Sequence, residues 1–195
     1  LFLTWGASRV DRVACFIDGG YLLSLVKEQF GSVRVDFQKL SNEMSAGHNL
    51  LRVYYYNCPP YQSHQPTQDE IQRKQASDRF HTALQRLPRF EVRLGKLAFK
   101  GTDQASGRPI FQQKRVDIML GVDLVQLAAT RQIQRAVLLA GDSDFLPAVQ
   151  VAKQHGVLVA LWHGPTGQHR SVHQELWDEC DERVEITQAV VDRIT

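Results

Sequence analysis

Two carboxylates separated by a single residue, Asp142 and Asp144, follow the apolar run Ala136–Ala140 in the stretch AVLLAGDSDF. Nothing in a hydrophobic core needs acids at that place, so the pair reads as a metal- or phosphate-handling feature. A second acid, Asp18, ends the apolar run Val13–Ile17 and is followed by Gly19 and Gly20. A third, Asp117, stands where Lys114-Arg-Val-Asp117 opens a helical pattern. Carboxylates brought together repel by about 4 kcal/mol per pair at ~4 Å and an effective dielectric of ~20. Three or four of them therefore need a cation among them, or some must protonate. An all-oxygen set suits Mg²⁺ or Mn²⁺ better than zinc, which favours His and Cys.

The elements that would gather these acids are legible as alternating apolar runs and helical patterns. Val13–Ile17, Leu50–Tyr56, Ala136–Ala140 and Val157–Trp162 are continuous apolar strands, and Arg183–Ile186 reads as a last one. Between them lie helical spacings: Leu22, Leu25, Val26 and Phe30; Phe37, Leu40 and Met44 behind an Asp36 cap; and Phe145, Val149 and Ala152 before Gly156. Thr67 and Glu70 form a capping box for a helix to about Leu87, and a polar loop from His163 to Arg170 precedes a helix through Trp177. The pattern predicts an α/β fold: a doubly wound, mainly parallel sheet with helices on both faces, and a β-hairpin insertion near 90–113 with a bulge at Gly95-Lys96. In such a sheet Asp18 and Asp142 leave neighbouring strand ends on one edge, where ligands bind. Asp123, six residues beyond Asp117, points about 120° away and reads as a partly buried acid that bonds a neighbour or supports the metal shell from behind.

A chain of 195 residues fits one domain, with its core about 12–187. A formal net charge of +2 announces no global attraction to nucleic acid or membrane, so any basic surface must be local. Cys15, Cys58 and Cys180 form no CxxC pair, which argues against disulfides or structural zinc and for a reducing, cytoplasmic setting. Leu1–Ser8 is too short for a signal core, and no run approaches a membrane span. Neither a P-loop nor a GxGxxG fingerprint is present, so no nucleotide cofactor is expected. The sequence leaves a homo-oligomer open.

Other residues carry blander readings. Asp144 or Ser143 would cap the following helix. His163, His169 and His173 lack a convincing third-ligand spacing and read as loop residues rather than a zinc site. Arg86, Arg89, Arg93, Lys96 and Lys100 form a basic run around Phe90 and Phe99, read as two core rings behind a solvated edge. Tyr61, in the following loop of the Tyr54–Tyr56 strand, is the better candidate for stacking.

Taken together, Phe16-Ile-Asp18-Gly-Gly-Tyr21-Leu22, Lys114-Arg-Val-Asp117 with Asp123, and Gly141-Asp142-Ser143-Asp144-Phe145 resemble the NYN domain of the LabA-like branch of PIN-like nucleases. The resemblance implies a Mg²⁺- or Mn²⁺-dependent ribonuclease acting on RNA, with Asp18, Asp117, Asp142 and Asp144 as its catalytic, metal-binding acids. In that reading Lys114 meets a phosphate, and Ser143 helps with helix-start N–H groups. Tyr21 takes the substrate-orienting position at which many family members carry Asn. The alternatives are a non-catalytic RNA-binding or regulatory module on the same fold and, further off, a small-molecule phosphohydrolase, whose DxD motif would need Asp where Gly20 stands.

Overall fold

The computed structural model describes residues 11–104, 106–107, 109–166 and 171–195. The sequence expectations about Leu1–Ser8 and His169 lie outside those residues. Its centre is a six-stranded sheet in the order β3-β2-β1-β6-β7-β8, all neighbours parallel. The strands are β1 (Arg12–Asp18), β2 (Asn49–Asn57), β3 (Phe90–Leu94), β6 (Arg135–Leu139), β7 (Leu158–His163) and β8 (Glu182–Glu185). A separate antiparallel pair, β4 (Lys96–Thr102) and β5 (Pro109–Lys114), forms the inserted hairpin.

The two-residue period of the strands divides the core between two faces. Ala14, Phe16, Tyr54, Tyr56, Leu138 and Leu161 point to one side, where they meet α4 (Val116–Ala129), α5 (Leu146–Gln154) and α6 (Gln174–Glu179). Cys15, Ile17, Val53, Tyr55, Leu139 and Trp162 point to the other, against α1 (Gly19–Gln29), α2 (Phe37–Ser45), α3 (Gln68–Gln85) and α7 (Gln188–Arg193). The inner strands β1, β2, β6 and β7 are therefore apolar on both faces over most of their length, which is why their runs are continuous rather than alternating. Because β1 lies between β2 and β6, successive crossovers leave it in opposite directions, and a switch point opens between the C-terminal ends of β1 and β6.

Local chemistry sets several boundaries. Asp36 accepts from the N–H groups of Gln38 and Lys39 and so caps α2, and Thr67 with Glu70 closes a reciprocal box at the start of α3. Val190, Val191 and Ile194 bury one side of α7, a helix the sequence pattern does not announce because it spans under two turns.

The hairpin departs from the sequence expectation in three respects. Phe90–Leu94 pairs with β2 in the main sheet, so the hairpin begins at Lys96. The expected bulge at Gly95-Lys96 is instead the point where the chain leaves the sheet, and the irregular register within the hairpin falls between Phe99 and Gly101. Phe90 is a core ring, but Phe99 is 47% exposed, because it lies on a separate two-stranded hairpin outside the main sheet.

Gly95 is a close approach: its N–H donates to the Asn57 carbonyl at 2.8 Å, and a Cβ there would lie 2.5 Å from the Lys114 carbonyl oxygen. Since that neighbour is backbone, Gly95→Ala should cost about 1–3 kcal/mol in a denaturant melt, whereas Gly47→Ala, where a Cβ meets nothing within 4 Å, suffers only from its positive φ.

Candidate active-site cleft

Asp18 is the last residue of β1 and the N-cap of α1, its Oδ1 accepting the Tyr21 N–H at 3.1 Å. Asp142 leaves β6 in the same way: its Oδ1 accepts the Asp144 N–H at 3.0 Å, capping a 3-10 turn over Ser143–Phe145 that leads into α5. The expectation that Asp144 or Ser143 caps is thus reversed; Asp142 holds the cap, and Asp144 is exposed in the first turn. Asp117 sits in the first turn of α4, whose N-cap Arg115 has φ 77° and no side-chain cap bond. A non-glycine residue in that left-handed conformation is strained, and here it turns β5 sharply into α4.

A cleft of about 470 Å³ at the switch point is lined by Asp18, Asp117 and Asp142 together with Gln113, Ser171 and His173. Burial raises the Asp18 carboxyl above the usual carboxylate range, its backbone N–H partners partly offset this, and the charges of Asp117 and Asp142 raise it further. Asp117 is raised by burial, then by Asp142 and Asp144. Asp18 and Asp117 therefore each feel neighbouring acids, and none of the four acids makes an ion pair among the described residues. Asp144 lies on the outer side, in a neighbouring groove of about 1000 Å³ between α4 and α5 that shares Asp117 and Gln113 with the cleft.

Other residues from the sequence reading divide between cleft and scaffold. Lys114 lines that outer groove rather than the acidic cleft, and Ser143 lines neither. Tyr21 borders the cleft, but its hydroxyl accepts the Gly164 N–H at 2.9 Å and contacts Ser171 Oγ at 3.2 Å. Its ring also lies against Gly141, where a Cβ would meet Tyr21 Cε2 at 2.5 Å. The phenol thus braces the segments after β6 and β7. Asp123 accepts from Tyr56 Oη at 2.9 Å and from Arg93 Nε at 3.3 Å, which ties α4 to β2 and β3.

His163 is buried, its ring Nδ1 2.7 Å from the Gly164 carbonyl, and is absent from the cleft lining that includes His173. Sequence reasoning missed Gln113, Ser171 and His173 as cleft residues. His173 was discounted for want of metal-ligand spacing, and the signal that places it, its N–H donating to the Gly141 carbonyl at 2.9 Å, is a long-range contact.

Among the described residues no three His, Cys, Asp or Glu side chains stand close enough to enclose a metal ion. Mg²⁺ is commonly bound through one or two carboxylates and keeps several waters. The chemistry of the donor set, all-carboxylate with no basic side chain neutralising it, fits such a cation. The N–H groups of Tyr21 and Gly20 favour the Asp18 carboxylate, that of Asp144 is accepted by Asp142, and Asp117 is favoured by its own N–H alone.

A doubly wound α/β protein with acids converging at its switch point belongs to a class that binds ligands at the strand ends. Residues 12–187 match the NYN domain, and the chain belongs to the NYN domain family, part of the PIN-like nuclease superfamily. It is 38% identical over 80 residues to the uncharacterized protein y4oD of Sinorhizobium fredii, an alignment spanning 41% of this chain and 33% of that protein. The chain thus spans about a third of that relative's length. A solved structure of a protein of unknown function from Vibrio parahaemolyticus shares the fold, with a TM-score of 0.67 and 19% identity over 94% of this chain and 97% of that one. No helix among the described residues is long and apolar enough to cross a membrane.

The raised Asp18 carboxyl carries a pH signature. A folded pKa above the unfolded value means that the ionised group costs stability, and that this cost disappears as pH falls through the folded value. Asp18→Asn keeps a good helix cap and removes the charge, so it should raise the melting temperature at pH 7, with the difference closing in acid. Added Mg²⁺ should raise the wild-type melting temperature more than that of Asp18→Asn. A melting difference indifferent to both pH and Mg²⁺ would contradict the electrostatic account.

Proposed function

We propose that this chain is a metal-dependent ribonuclease-like hydrolase that cuts RNA phosphodiester bonds at the acidic cleft. The observation that carries the reading is the convergence of Asp18, Asp117 and Asp142 from three separate elements at the switch point, with no basic partner among the described residues. Isolated carboxylates are expensive to hold together, and a fold that holds them has a positive ligand to receive. Membership of a nuclease superfamily supports a hydrolase.

In this reading the Asp18, Asp117 and Asp142 carboxylates would hold a Mg²⁺ or Mn²⁺ ion, one or two directly and the remainder through bound water, with Asp144 on the outer rim. Such an ion supplies a lowered pKa for an attacking water and charge stabilisation on the phosphate and leaving oxygens. The protein's own share is orientation. Helix caps fix the Asp18 and Asp142 carboxylates. The Gln113 amide and the His173 ring line the cleft and would donate to phosphate oxygens, while Lys114 and Arg115 line the outer groove and would steer the rest of the strand.

A second reading, an RNA-binding module without turnover, draws on Tyr21: its hydroxyl is engaged by Gly164 and Ser171 instead of being free to orient substrate or water. One assay separates the two. Labelled RNA incubated with Mn²⁺ or Mg²⁺ should be cleaved, EDTA should stop cleavage, and Asp142→Asn should slow it by about 100-fold, the scale of losing one group that stabilises reacting charge. Cleavage surviving both EDTA and Asp142→Asn would remove the hydrolase reading. Binding without cleavage, unchanged in Asp142→Asn, would establish the second.

A further inference from the structure

The β4/β5 hairpin carries an aromatic surface that the core does not explain. Phe99 and Phe111 stand directly opposite each other across the two strands, with ring centroids 5.9 Å apart. Tyr61, from the loop after β2, approaches them at 6.0 and 5.1 Å. Although the rings touch one another, Phe99 remains 47% and Phe111 39% exposed. Exposed aromatics on a two-stranded sheet invite association, so something ordinarily covers them.

The charges around this patch say what the cover is. Lys96 and Lys114 are directly opposed at the base of the hairpin, on the strand face turned away from Phe111 and Gln113, and like charges in that relation repel; Lys96 also lines a recess that it shares with Tyr61. Neither they nor Lys100 and Arg115 make an ion pair among the described residues. A flat apolar surface flanked by unneutralised cations suits a ligand with π faces and a chain of negative charges. The patch is also continuous with the acidic cleft. Phe111 and Gln113 are two apart on β5 and share a strand face, about 7 Å along the chain, and Gln113 lines the cleft beside Asp18 and Asp117.

We infer that Tyr61, Phe99 and Phe111 form a stacking platform for an unpaired base of a single-stranded RNA whose backbone runs from Lys96, beside Tyr61, along the hairpin to Gln113 and the cleft. This rests on the ribonuclease reading for the nature of the strand and adds a selectivity to it. A base must leave its duplex to lie on the rings, so the platform discriminates against paired RNA. Stacking is tolerant of base identity, so the preference is for strandedness rather than sequence.

The test measures binding and cleavage separately. In an Asp142→Asn background with Mg²⁺, fluorescence anisotropy compares a short labelled RNA as a single strand, annealed to its complement, and with an abasic stretch. The single strand should bind best. Phe99→Ala with Phe111→Ala should weaken its binding about 10-fold and leave the duplex and abasic probes unchanged, while Phe111→Trp should restore or exceed the original affinity. Melting curves check that each variant is folded. Equal affinity for all three probes, or a folded alanine variant that binds the single strand as tightly as its parent, overturns the platform. If the otherwise unsubstituted chain cleaves RNA and the alanine variant matches it in KM and kcat on single strands, the platform fails while the nuclease reading stands. If it cleaves nothing but keeps the single-strand preference and its loss on alanine substitution, the nuclease reading fails and the platform stands.

Discussion

Repulsion among carboxylates is the interaction on which the rest of this structure turns. Asp18, Asp117 and Asp142 come from the end of β1, the start of α4 and the segment after β6, and they line one cleft in which the carboxyls of Asp18 and Asp117 are raised by their acidic neighbours as well as by burial. A chain left to relax would let such groups separate into water. They stay because backbone N–H groups hold two of the carboxylates as caps, and because the segments bearing them are clamped from outside. The Tyr56–Asp123–Arg93 contact ties α4 to the sheet, and Tyr21 spans from α1 to the segments after β6 and β7.

That division of labour explains why acids so close in sequence behave so differently. Asp117 and Asp123 lie on one helix, yet Asp123 accepts from a phenol and a guanidinium and takes no part in the cleft lining. Asp142 and Asp144 are separated by one residue, yet one caps the turn from within the cleft and the other faces the outer groove. Tyr21 shows the same separation of position from role. It borders the cleft, yet its hydroxyl serves as a strut.

The sheet and the positions of the principal acids were legible in the chain because both follow from local pattern. Continuous apolar runs mark strands buried on both faces, and Asp18 and Asp142 immediately follow two of them. The Asp36 cap and the Thr67–Glu70 box are equally local, each within four residues of its partner. What escaped reading depends on distant residues. Phe99 looks like a core ring until the hairpin is seen to lie outside the main sheet. The start of the hairpin is set by Gly95 meeting the Lys114 carbonyl, and the role of Tyr21 by Gly164, 143 residues away. Gln113 and His173 have no motif around them and enter the cleft through long-range backbone placement.

The Tyr21 strut also bears on how the cleft is held together. Its hydroxyl accepts from Gly164, contacts Ser171 and sits on a ring packed over Gly141, whose carbonyl in turn receives the His173 N–H. Three segments far apart in sequence therefore share one fastening, and loosening any of them exposes the polar groups of the others. Contacts shared in this way couple the three segments, so replacing Tyr21 would disturb all of them together.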